Sequence, residues 1–283
     1  MATTIAVTRT VAELRGIVAG WRRAGETVAL IPTMGALHEG HLELVRLAKR
    51  RCARAVTSIF VNPAQFAPTE DFNTYPRTFE TDCAMLEGVG GDLVWAPTAG
   101  EMYPDGFATR IAPAGAAEGL ETDFRAHFFG GVTTVCCKLF LQVGADVAVF
   151  GEKDYQQLCV IQQIVRDLNL PLEIVGAPTV READGLAMSS RNRYLSPDER
   201  ARAVTINRVV NAVAGAAGSG AGVTEAIADG RAGLTAAGFG PIDYLEVRDA
   251  ETLRAWTPGS GRPGRVLAAA WLGKTRLIDN VAV

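Results

Sequence analysis

Short apolar runs alternate with longer segments of helical periodicity from Thr27 to Val180, and this alternation constrains the fold more than any other feature of the sequence. Apolar runs of four to eight residues are typical of strands that are buried on both faces of a parallel sheet. Strands that are separated by helices predict a sheet with helices on both faces, because each crossover must pass over the sheet. The fold class is therefore predicted to be α/β, with a doubly wound parallel sheet.

Individual elements of this region are predicted from the apolar runs and from their ends. The first predicted strand ends at Pro32, and one predicted helix is closed by Gly90 and Gly91, as is typical of element ends. Strands are predicted over residues 27–31, 55–61, 92–96, 146–150 and 172–175, and helices over residues 41–54, 77–89, 132–143 and 155–168.

The pattern changes after Val180, and a smaller α+β domain is predicted over residues 181–283, after a first domain over residues 1–180. Ser196, followed by Pro197 and then by Glu199, is a strong signal for the start of a helix. One long helix is predicted from there and a second from Thr224, followed by strands over residues 242–247, 265–271 and 276–281.

Composition excludes several classes of protein. The formal net charge is -3 and no basic stripe offsets it, so a nucleic-acid partner is not expected. No apolar run approaches the roughly 20 residues that a membrane span needs. The cysteines are odd in number and form no C-x-x-C pair, which indicates reduced core residues of a cytoplasmic protein: Cys52, Cys83, Cys136, Cys137 and Cys159.

Two glycine-rich stretches resemble phosphate-binding loops but lack the required context. Residues 259–264 match G-x-G-x-x-G, yet they contain Pro263 and precede a strand instead of a helix. Gly273, Lys274 and Thr275 resemble the end of a Walker A loop, but Ala268 stands where its first glycine should be. The first stretch is predicted to be a surface loop, and the second is not expected to be a phosphate-binding loop.

The stretch His38-Glu39-Gly40-His41 is a stronger candidate, since it follows the first predicted strand and opens the first predicted helix. Glycines at 35 and 40 allow the backbone to approach a ligand closely, and the N–H groups of a helix N-terminus attract phosphate. Two histidines three residues apart can donate hydrogen bonds to phosphate oxygens. A zinc site of the H-E-x-x-H type is excluded, because residue 42 is leucine. The loop from Met34 to His41 is therefore predicted to bind nucleotide phosphates.

This H-x-G-H element resembles the signature of the nucleotidyltransferase superfamily that includes class I aminoacyl-tRNA synthetases. Those enzymes carry a second loop, rich in lysine and serine, after a Rossmann-like domain. Residues 188–192, with Ser189, Ser190 and Arg191, lie at the corresponding place. Hydroxyl groups and a cation on a mobile loop suit a triphosphate whose pyrophosphate departs.

Five stretches in this order resemble the pantothenate synthetase (pantoate–β-alanine ligase) family: residues 31–41, 60–66, 75–77, 150–157 and 181–192. The resemblance covers nearly the whole chain and is weakest between residues 201 and 240. It implies a Rossmann-like sheet and a homodimer. It also implies that ATP and pantoate form an enzyme-bound pantoyl adenylate with release of pyrophosphate, after which β-alanine attacks to give pantothenate and AMP.

Roles of individual residues follow from the same resemblance. His38 and His41 would contact the phosphates, with His41 as the proton donor, and Lys153 would lie between the approaching groups. Ser189, Ser190 and Arg191 would hold the pyrophosphate. The other nucleotide contacts implied are Met34, Gly35, Ala36, Leu37, Glu39, Gly40, Gly151, Glu152, Asp154, Val180 and Met188.

The pantoate contacts implied by the resemblance are two glutamines, Gln65 and Gln157, whose amides can donate and accept at once. Met34 and Phe66 would cover the methyl groups of pantoate, and Asn62 and Tyr75 would line or support the pocket. Mg²⁺ is expected with the triphosphate and its waters. Its protein ligands are not assigned, and Asp82 is only a weak candidate.

One stretch departs from the family pattern Arg-Pro-x-His-Phe-x-Gly-Val. When Gly131 and Val132 are aligned with it, Phe128 replaces the family histidine, His127 lies one place early, and the proline is missing. Either a local shift restores the imidazole, or the chain functions without it. Two alternatives to the synthetase function also stay open: another acid-activating adenylyltransferase of the superfamily, or a non-catalytic RNA-binding relative.

Overall fold

The computed structural model describes residues 5–68, 70–220 and 222–283. A six-stranded sheet has the order β1-β4-β3-β2-β5-β6, and all of its neighbouring strands are parallel. From β2 the chain builds outward through β3, and β5 then pairs with the other side of β2. The strands are β1 (Ala6–Thr8), β2 (Val28–Thr33), β3 (Arg54–Ile59), β4 (Leu93–Trp95), β5 (Val147–Gly151) and β6 (Glu173–Ala177).

Helices cover both faces of this sheet. Alternate residues of β2 serve opposite faces, since Leu30 packs with α1, α6 and α7 while Ile31 packs with α2 and α3. Both side chains are fully buried. The helices are α1 (Val11–Arg23), α2 (Glu39–Arg51), α3 (Phe79–Gly88), the single turns α4 (Ala99–Met102) and α5 (Glu121–Phe124), α6 (Phe128–Val143) and α7 (Tyr155–Asp167).

A smaller antiparallel sheet follows, in which β8 lies between β7 and β9. One face of it packs on helices through residues such as Leu245 and Val266, and the other face packs against the large sheet's core through Tyr244 and Leu267. Its elements are α8 (Pro197–Ala203), α9 (Thr205–Gly218), α10 (Val223–Ala236), β7 (Phe239–Asp249), β8 (Gly264–Leu272) and β9 (Thr275–Ala282).

The predicted fold class is confirmed: a doubly wound parallel sheet is joined to a smaller α+β region. Every predicted strand and helix of the large sheet is present, with ends that shift by up to four residues. All five cysteines are free thiols. Of the two glycine-rich stretches that were set aside, residues 259–263 lie in the loop before β8, which begins at Gly264, and Gly273 and Lys274 form the turn between β8 and β9. Among the described residues, no helix is long and apolar enough to cross a bilayer.

Two element predictions were wrong. β1 and α1 were not predicted, so the histidine loop follows the second strand and opens the second helix. β1 is an edge strand of three residues with two exposed side chains, which leaves no apolar run to recognise. The long helix after Ser196 is two helices, which meet at Val204.

Candidate active site

A cavity of about 880 Å³ opens at the carboxyl ends of β2 and β5. This is where the order of the parallel strands reverses, and ligands of open α/β sheets bind at such points. The cavity wall contains seventeen of the residues that sequence analysis predicted: Met34, His38, Gly40, His41, Asn62, Gln65, Phe66, Tyr75, Gly151, Lys153, Asp154, Gln157, Val180, Met188, Ser189, Ser190 and Arg191.

The turn from Gly35 to Leu37 is fixed by Asp82, a residue of α3. Its two carboxylate oxygens accept the backbone N–H groups of Ala36 at 3.0 Å and Leu37 at 2.9 Å, and Thr78 donates to it at 3.0 Å. Only 1% of Asp82 is exposed. Gly35 has φ of +81°, and a Cβ there would lie 3.0 Å from Asp82 Oδ2, so glycine is required on both counts.

This arrangement corrects two expectations. The N–H groups of Ala36 and Leu37 are bonded to Asp82, so they are not free to bind phosphate. Asp82 in turn is committed to the loop and does not face the cavity as a metal ligand. Among the described residues, no three His, Cys, Asp or Glu side chains are grouped so that they could hold a metal ion.

His38 and His41 lie together at the start of α2, with ring centroids 4.1 Å apart. Gly40 makes room for this packing, because a Cβ there would lie 2.9 Å from the His38 ring. The His38 backbone N–H donates to Nδ1 of His41 at 3.3 Å, which assigns the ring proton of neutral His41 to Nε2. Nδ1 of His38 is buried and has no hydrogen-bond partner among the described residues.

Both imidazoles are neutral near pH 7. Burial, reinforced by the charge of Lys153, lowers the pKa of His38 to about 4. Burial, together with His38 and Lys153, lowers the pKa of His41 to about 3. A neutral imidazole donates one hydrogen bond, whereas a site poised to transfer a proton near pH 7 needs a higher pKa.

The cations of the site come from two other segments. Lys153 lies in a 3₁₀ turn after β5, with its Nζ 3.9 Å from the Asp154 carboxylate. Ser190 is buried, with its hydroxyl 3.2 Å from that of Tyr75. Arg191 makes a two-pronged ion pair with Asp71, at 2.9 and 3.0 Å. In this state the arginine already has an anionic partner that a phosphate would have to replace.

An amide pocket lies beside the histidine loop. Asn62 donates to Gln65 at 3.1 Å and accepts from the Tyr103 hydroxyl at 2.7 Å, while Gln65 donates to the sulfur of Met34 at 3.3 Å. The turn that carries Gln65 packs directly on α6, because a Cβ on Gly131 would clash with the backbone oxygen of Ala64 in that turn. The fold therefore fixes the position of Gln65 through backbone contact.

Phe128, and not His127, faces the cavity. The Phe128 ring is buried in its wall and lies 3.8 Å from the guanidinium carbon of Arg125. His127 is exposed and precedes the first residue of α6. No local shift brings the imidazole inward, and Phe128 occupies the place in the cavity wall that aligns with the family histidine.

Five predicted nucleotide contacts lie outside the cavity wall. Gly35, Ala36 and Leu37 form the buried turn on Asp82. Glu39 points to solvent and pairs with Arg46. Glu152 pairs with Arg265 at 3.2 Å. These five residues are therefore set apart from those that line the cavity: Gly35, Ala36, Leu37, Glu39 and Glu152.

A buried group of charges that was not anticipated lines the far part of the cavity. Arg276 of β9 donates to both oxygens of Glu121, at 2.8 and 2.9 Å, and to Asp243 at 2.7 Å. Burial raises the pKa of Glu121, but Arg276 and Tyr244 outweigh burial and hold that pKa below its ordinary value. Glu121 and Arg276 are 155 residues apart, so no local sequence pattern predicts that they pair.

Known proteins match this chain over nearly its whole length. Residues 6–282 match the family model described as pantoate-beta-alanine ligase. The pantothenate synthetase of Mesorhizobium japonicum is 57% identical over 277 residues, which cover 98% of this chain and 97% of that protein.

Solved structures agree with this match. The pantothenate synthetase of Thermus thermophilus is 46% identical, with a TM-score of 0.90 over 98% of this chain and 99% of that one. The pantoate-beta-alanine ligase of Francisella tularensis, solved in complex with beta-gamma ATP and β-alanine, is 29% identical. Its TM-score is 0.82 over 98% of this chain and 97% of that one.

Proposed function

This chain belongs to the pantoate-beta-alanine ligase family, and on that premise we propose that it joins pantoate to β-alanine at the expense of ATP. One observation carries the proposal: the histidine pair, the cations and the amides meet in one cavity at the strand-order reversal. The products are pantothenate, AMP and pyrophosphate. The intermediate is pantoyl adenylate.

In the first step a carboxylate oxygen of pantoate attacks the α-phosphorus of ATP, and the bond to the bridging oxygen of pyrophosphate breaks. The carboxylate needs no general base. The barrier is repulsion between two anions, so the site acts by alignment and by neutralising charge. Lys153 and Arg191 supply positive charge, and Ser189 and Ser190 supply hydroxyl groups.

The histidines fit the same step as hydrogen-bond donors. His41 is neutral with its proton on Nε2, so it can donate to a phosphate oxygen without losing that proton. Nδ1 of His38, which has no hydrogen-bond partner in the part of the chain that the structure describes, leaves a second polar atom for the nucleotide. Hydrogen bonding, and not proton transfer by a histidinium, is therefore the role that we assign to His41.

In the second step the free amine of β-alanine attacks the acyl carbon of the adenylate, and the bond from that carbon to the phosphate oxygen of AMP breaks. The nitrogen releases one proton as the amide forms, and AMP leaves. The ammonium form has no lone pair, and its pKa lies near 10, as for lysine.

Gln65 and Gln157 are assigned to the hydroxyl groups and carboxylate of pantoate, with Met34 and Phe66 against its methyl groups. The Asn62 contact with Gln65 supports that orientation.

Four further points belong to the proposal. Mg²⁺ is taken to arrive with the triphosphate, because the described residues offer no preformed group of three ligands for it. A homodimer and a cytoplasmic location follow from the family alone. We keep the boundary between the two domains near residue 180. The end of β6 at Ala177 supports it, because no later strand among the described residues joins that sheet.

An AMP-release assay tests the function. Purified protein with ATP, pantoate, β-alanine and Mg²⁺ should release AMP and pyrophosphate in equal amounts. Without β-alanine, release of pyrophosphate should stop after about one turnover, because the adenylate stays bound. If AMP appears only when another acid replaces pantoate, the chain is a different acid-activating adenylyltransferase. If no acid supports AMP release, the enzymatic proposal fails.

A further inference from the structure

Strand β9 of the small sheet reaches the cavity through two neighbouring buried polar residues, Asp279 and Asn280. Only 2% of Asp279 and 3% of Asn280 are exposed. Polar side chains at this depth need hydrogen-bond partners. The main partners of both lie outside the small sheet, in the two segments that bring cations to the site.

Asn280 holds the turn that carries Lys153. Its Nδ2 donates to the backbone carbonyls of Glu152 at 3.0 Å and Lys153 at 2.8 Å. Its Oδ1 accepts from Arg265 at 2.8 Å, and Arg265 pairs with the Glu152 carboxylate and lies over the Tyr155 ring at 4.0 Å. The small sheet therefore contacts this turn through both its backbone and a side chain.

Asp279 holds the segment before Ser189. Its carboxylate makes a two-pronged ion pair with Arg181, at 2.8 and 2.9 Å. Arg181 also donates to the carbonyl of Gly185 at 3.0 Å and forms an isolated β-bridge with Ala187. The short hairpin built this way leads directly into residues 189–191.

From these contacts we infer that Asp279 and Asn280 are positioning residues that set the separation between Lys153 and the Ser189–Arg191 segment. The inference rests on the proposed function, in which both groups contact the triphosphate. Successive residues of a strand are about 3.3 Å apart along its axis, so one rigid strand fixes both segments relative to each other.

Positioning is distinguishable from a role in stability alone. Asn280 contacts the main chain of Lys153 itself, so its loss should move the ammonium group even if the fold persists. A misplacement of about 1 Å at reacting groups lowers rates by about 10²-fold. A residue that only stabilises the fold would lower the melting temperature and leave the rate of the folded enzyme unchanged.

The first test replaces Asn280 by a near-isosteric residue. Asn280→Asp keeps the shape but removes the two N–H donors and places an anion against two carbonyls. In a single turnover with ATP and pantoate, pyrophosphate release should slow by about 10–100-fold. The pantoate concentration that gives half the maximal rate should stay within about 3-fold of the original. Asn280→Ala should give the same pattern.

Asp249→Asn is the matched control, because Asp249 is equally buried in the same sheet and lies outside the cavity. Its rate should match that of the unmodified enzyme even if its melting temperature falls. A folded Asn280→Asp enzyme with more than half the original rate would overturn the inference. An equal loss of rate in Asp249→Asn would overturn it as well.

A double-mutant cycle asks whether Asn280 acts through Lys153. Affinity for α,β-methylene-ATP, measured by calorimetry, should fall about 10-fold in Asn280→Asp. In a Lys153→Ala background the same change should weaken binding by less than about 2-fold, because the group being positioned is gone. If Asn280→Asp lowers the affinity by the same factor with and without Lys153, Asn280 does not act through the lysine.

A second cycle tests Asp279. Asp279→Asn keeps one acceptor for Arg181 and should weaken inhibition by pyrophosphate about 5-fold, but not in an Arg191→Gln background. An equal effect in both backgrounds would remove Asp279 from the inference. If the Asp279 variant does not fold, the Asn280 cycle alone decides whether β9 positions the site.

These measurements separate the inference from the function. If the unmodified enzyme binds the ATP analogue but releases no AMP with pantoate and β-alanine, the function fails and the binding cycle still tests positioning. If that enzyme is active and Asn280→Asp retains its rate, the positioning inference fails and the function stands.

Discussion

Two sides of the cavity are held in place by different means. The histidine side, Met34–His41, is fixed by the carboxylate of Asp82, which accepts two backbone N–H groups of the loop. The loop residues lie 45 and 46 positions before Asp82, and both segments belong to the layers of the large sheet. The cation side, Lys153 with Ser189–Arg191, is held by side chains that are distant in the sequence. Asn280 donates to the Lys153 carbonyl from 127 residues away, and Asp71 pairs with Arg191 from 120 residues away. Asp279 pairs with Arg181, in the segment before Ser189, from 98 residues away.

This difference separates a fixed surface from an adjustable one. The histidine loop is locked to a buried carboxylate that has no access to the cavity. The cation side depends on β9 and on Asp71, and the Asp71 pair with Arg191 is partly exposed to solvent. We expect the histidine side to hold its shape through the reaction and the cation side to exchange partners when the triphosphate binds and the pyrophosphate leaves.

The largest expected effect comes from removing charge on the cation side. Lys153→Ala should slow adenylate formation by about 10²–10³-fold, because a preorganised cation at the reacting phosphate is lost. Pantoate affinity, measured by calorimetry, should stay within about 3-fold, since the amide pocket is intact. Lys138→Ala, which lies outside the cavity, is the control and should change neither quantity. A Lys153→Ala enzyme with the original rate would contradict the role assigned to the lysine.

Loosening the fixed side should have the next largest effect. Asp82→Asn replaces one accepting oxygen by an N–H₂ group that faces a backbone N–H donor, so the Gly35–Leu37 turn loses a hydrogen bond. The rate of adenylate formation should fall by about 10–100-fold through misplacement of the histidines. The neighbouring Cys83→Ala removes buried volume from the core that Leu37 also joins but keeps both Asp82 hydrogen bonds to the loop, which tests whether loss of stability alone explains the change.

An equal fall in rate for Asp82→Asn and Cys83→Ala would show that the loop is not held specifically by Asp82. A fall in thermal stability for both, with loss of rate in only the first, would support the comparison. The two variants should be measured at a temperature well below both melting points, so that unfolded protein does not contribute to the difference.

The histidine side was largely predictable from the sequence, and the reason is local. The strand, the glycines and the histidines lie within fourteen residues, and each of them leaves a pattern in a short window. Leu30 and Ile31 indicate a strand that is buried on both faces, and Gly35 and Gly40 indicate an unusual backbone conformation or close packing. The role of Asp82 was missed, because no local pattern pairs it with a loop 45 residues earlier.

The cation side was predictable only as residue types. Lys153 and Arg191 follow from the motifs, but Asn280 and Asp71 hold them from 127 and 120 residues away and leave no periodic signal. The same is true of Asp279, which pairs with Arg181 from 98 residues away. The α1 helix could have been found, since Thr10 and Glu13 form a capping box there. The orientation of Phe128 could not, because it depends on the residue at which α6 begins.

A smaller effect should distinguish the adjustable side. Asp71→Asn removes the charge that pairs with Arg191, so pyrophosphate no longer has to displace a carboxylate. The inhibition constant of pyrophosphate should fall by about 3–10-fold, which corresponds to the roughly 1 kcal/mol of a partly exposed ion pair. Glu70→Gln removes the neighbouring carboxylate, which pairs with Arg125 instead, and should leave the inhibition constant unchanged. An unchanged constant in Asp71→Asn would mean that the arginine is not the group that pyrophosphate meets.

The smallest expected effect is on the pH dependence of stability, and it should separate the two sides. The pKa of His41 is about 3 in the folded chain, well below the value near 6.5 of an unfolded chain. Between pH 6.5 and 5 the unfolded chain therefore binds more protons at this residue, so the free energy of unfolding falls as the pH falls. The slope from this one histidine is about 1 kcal/mol per pH unit.

His41→Gln should flatten the acid limb by that amount in urea unfolding at pH 7, 6 and 5. Arg191→Gln should leave the limb as it is, because arginine stays protonated throughout. Equal slopes in the original protein and in His41→Gln would show that the imidazole is not held neutral by the fold, and the fixed side would then lose its electrostatic distinction from the cation side.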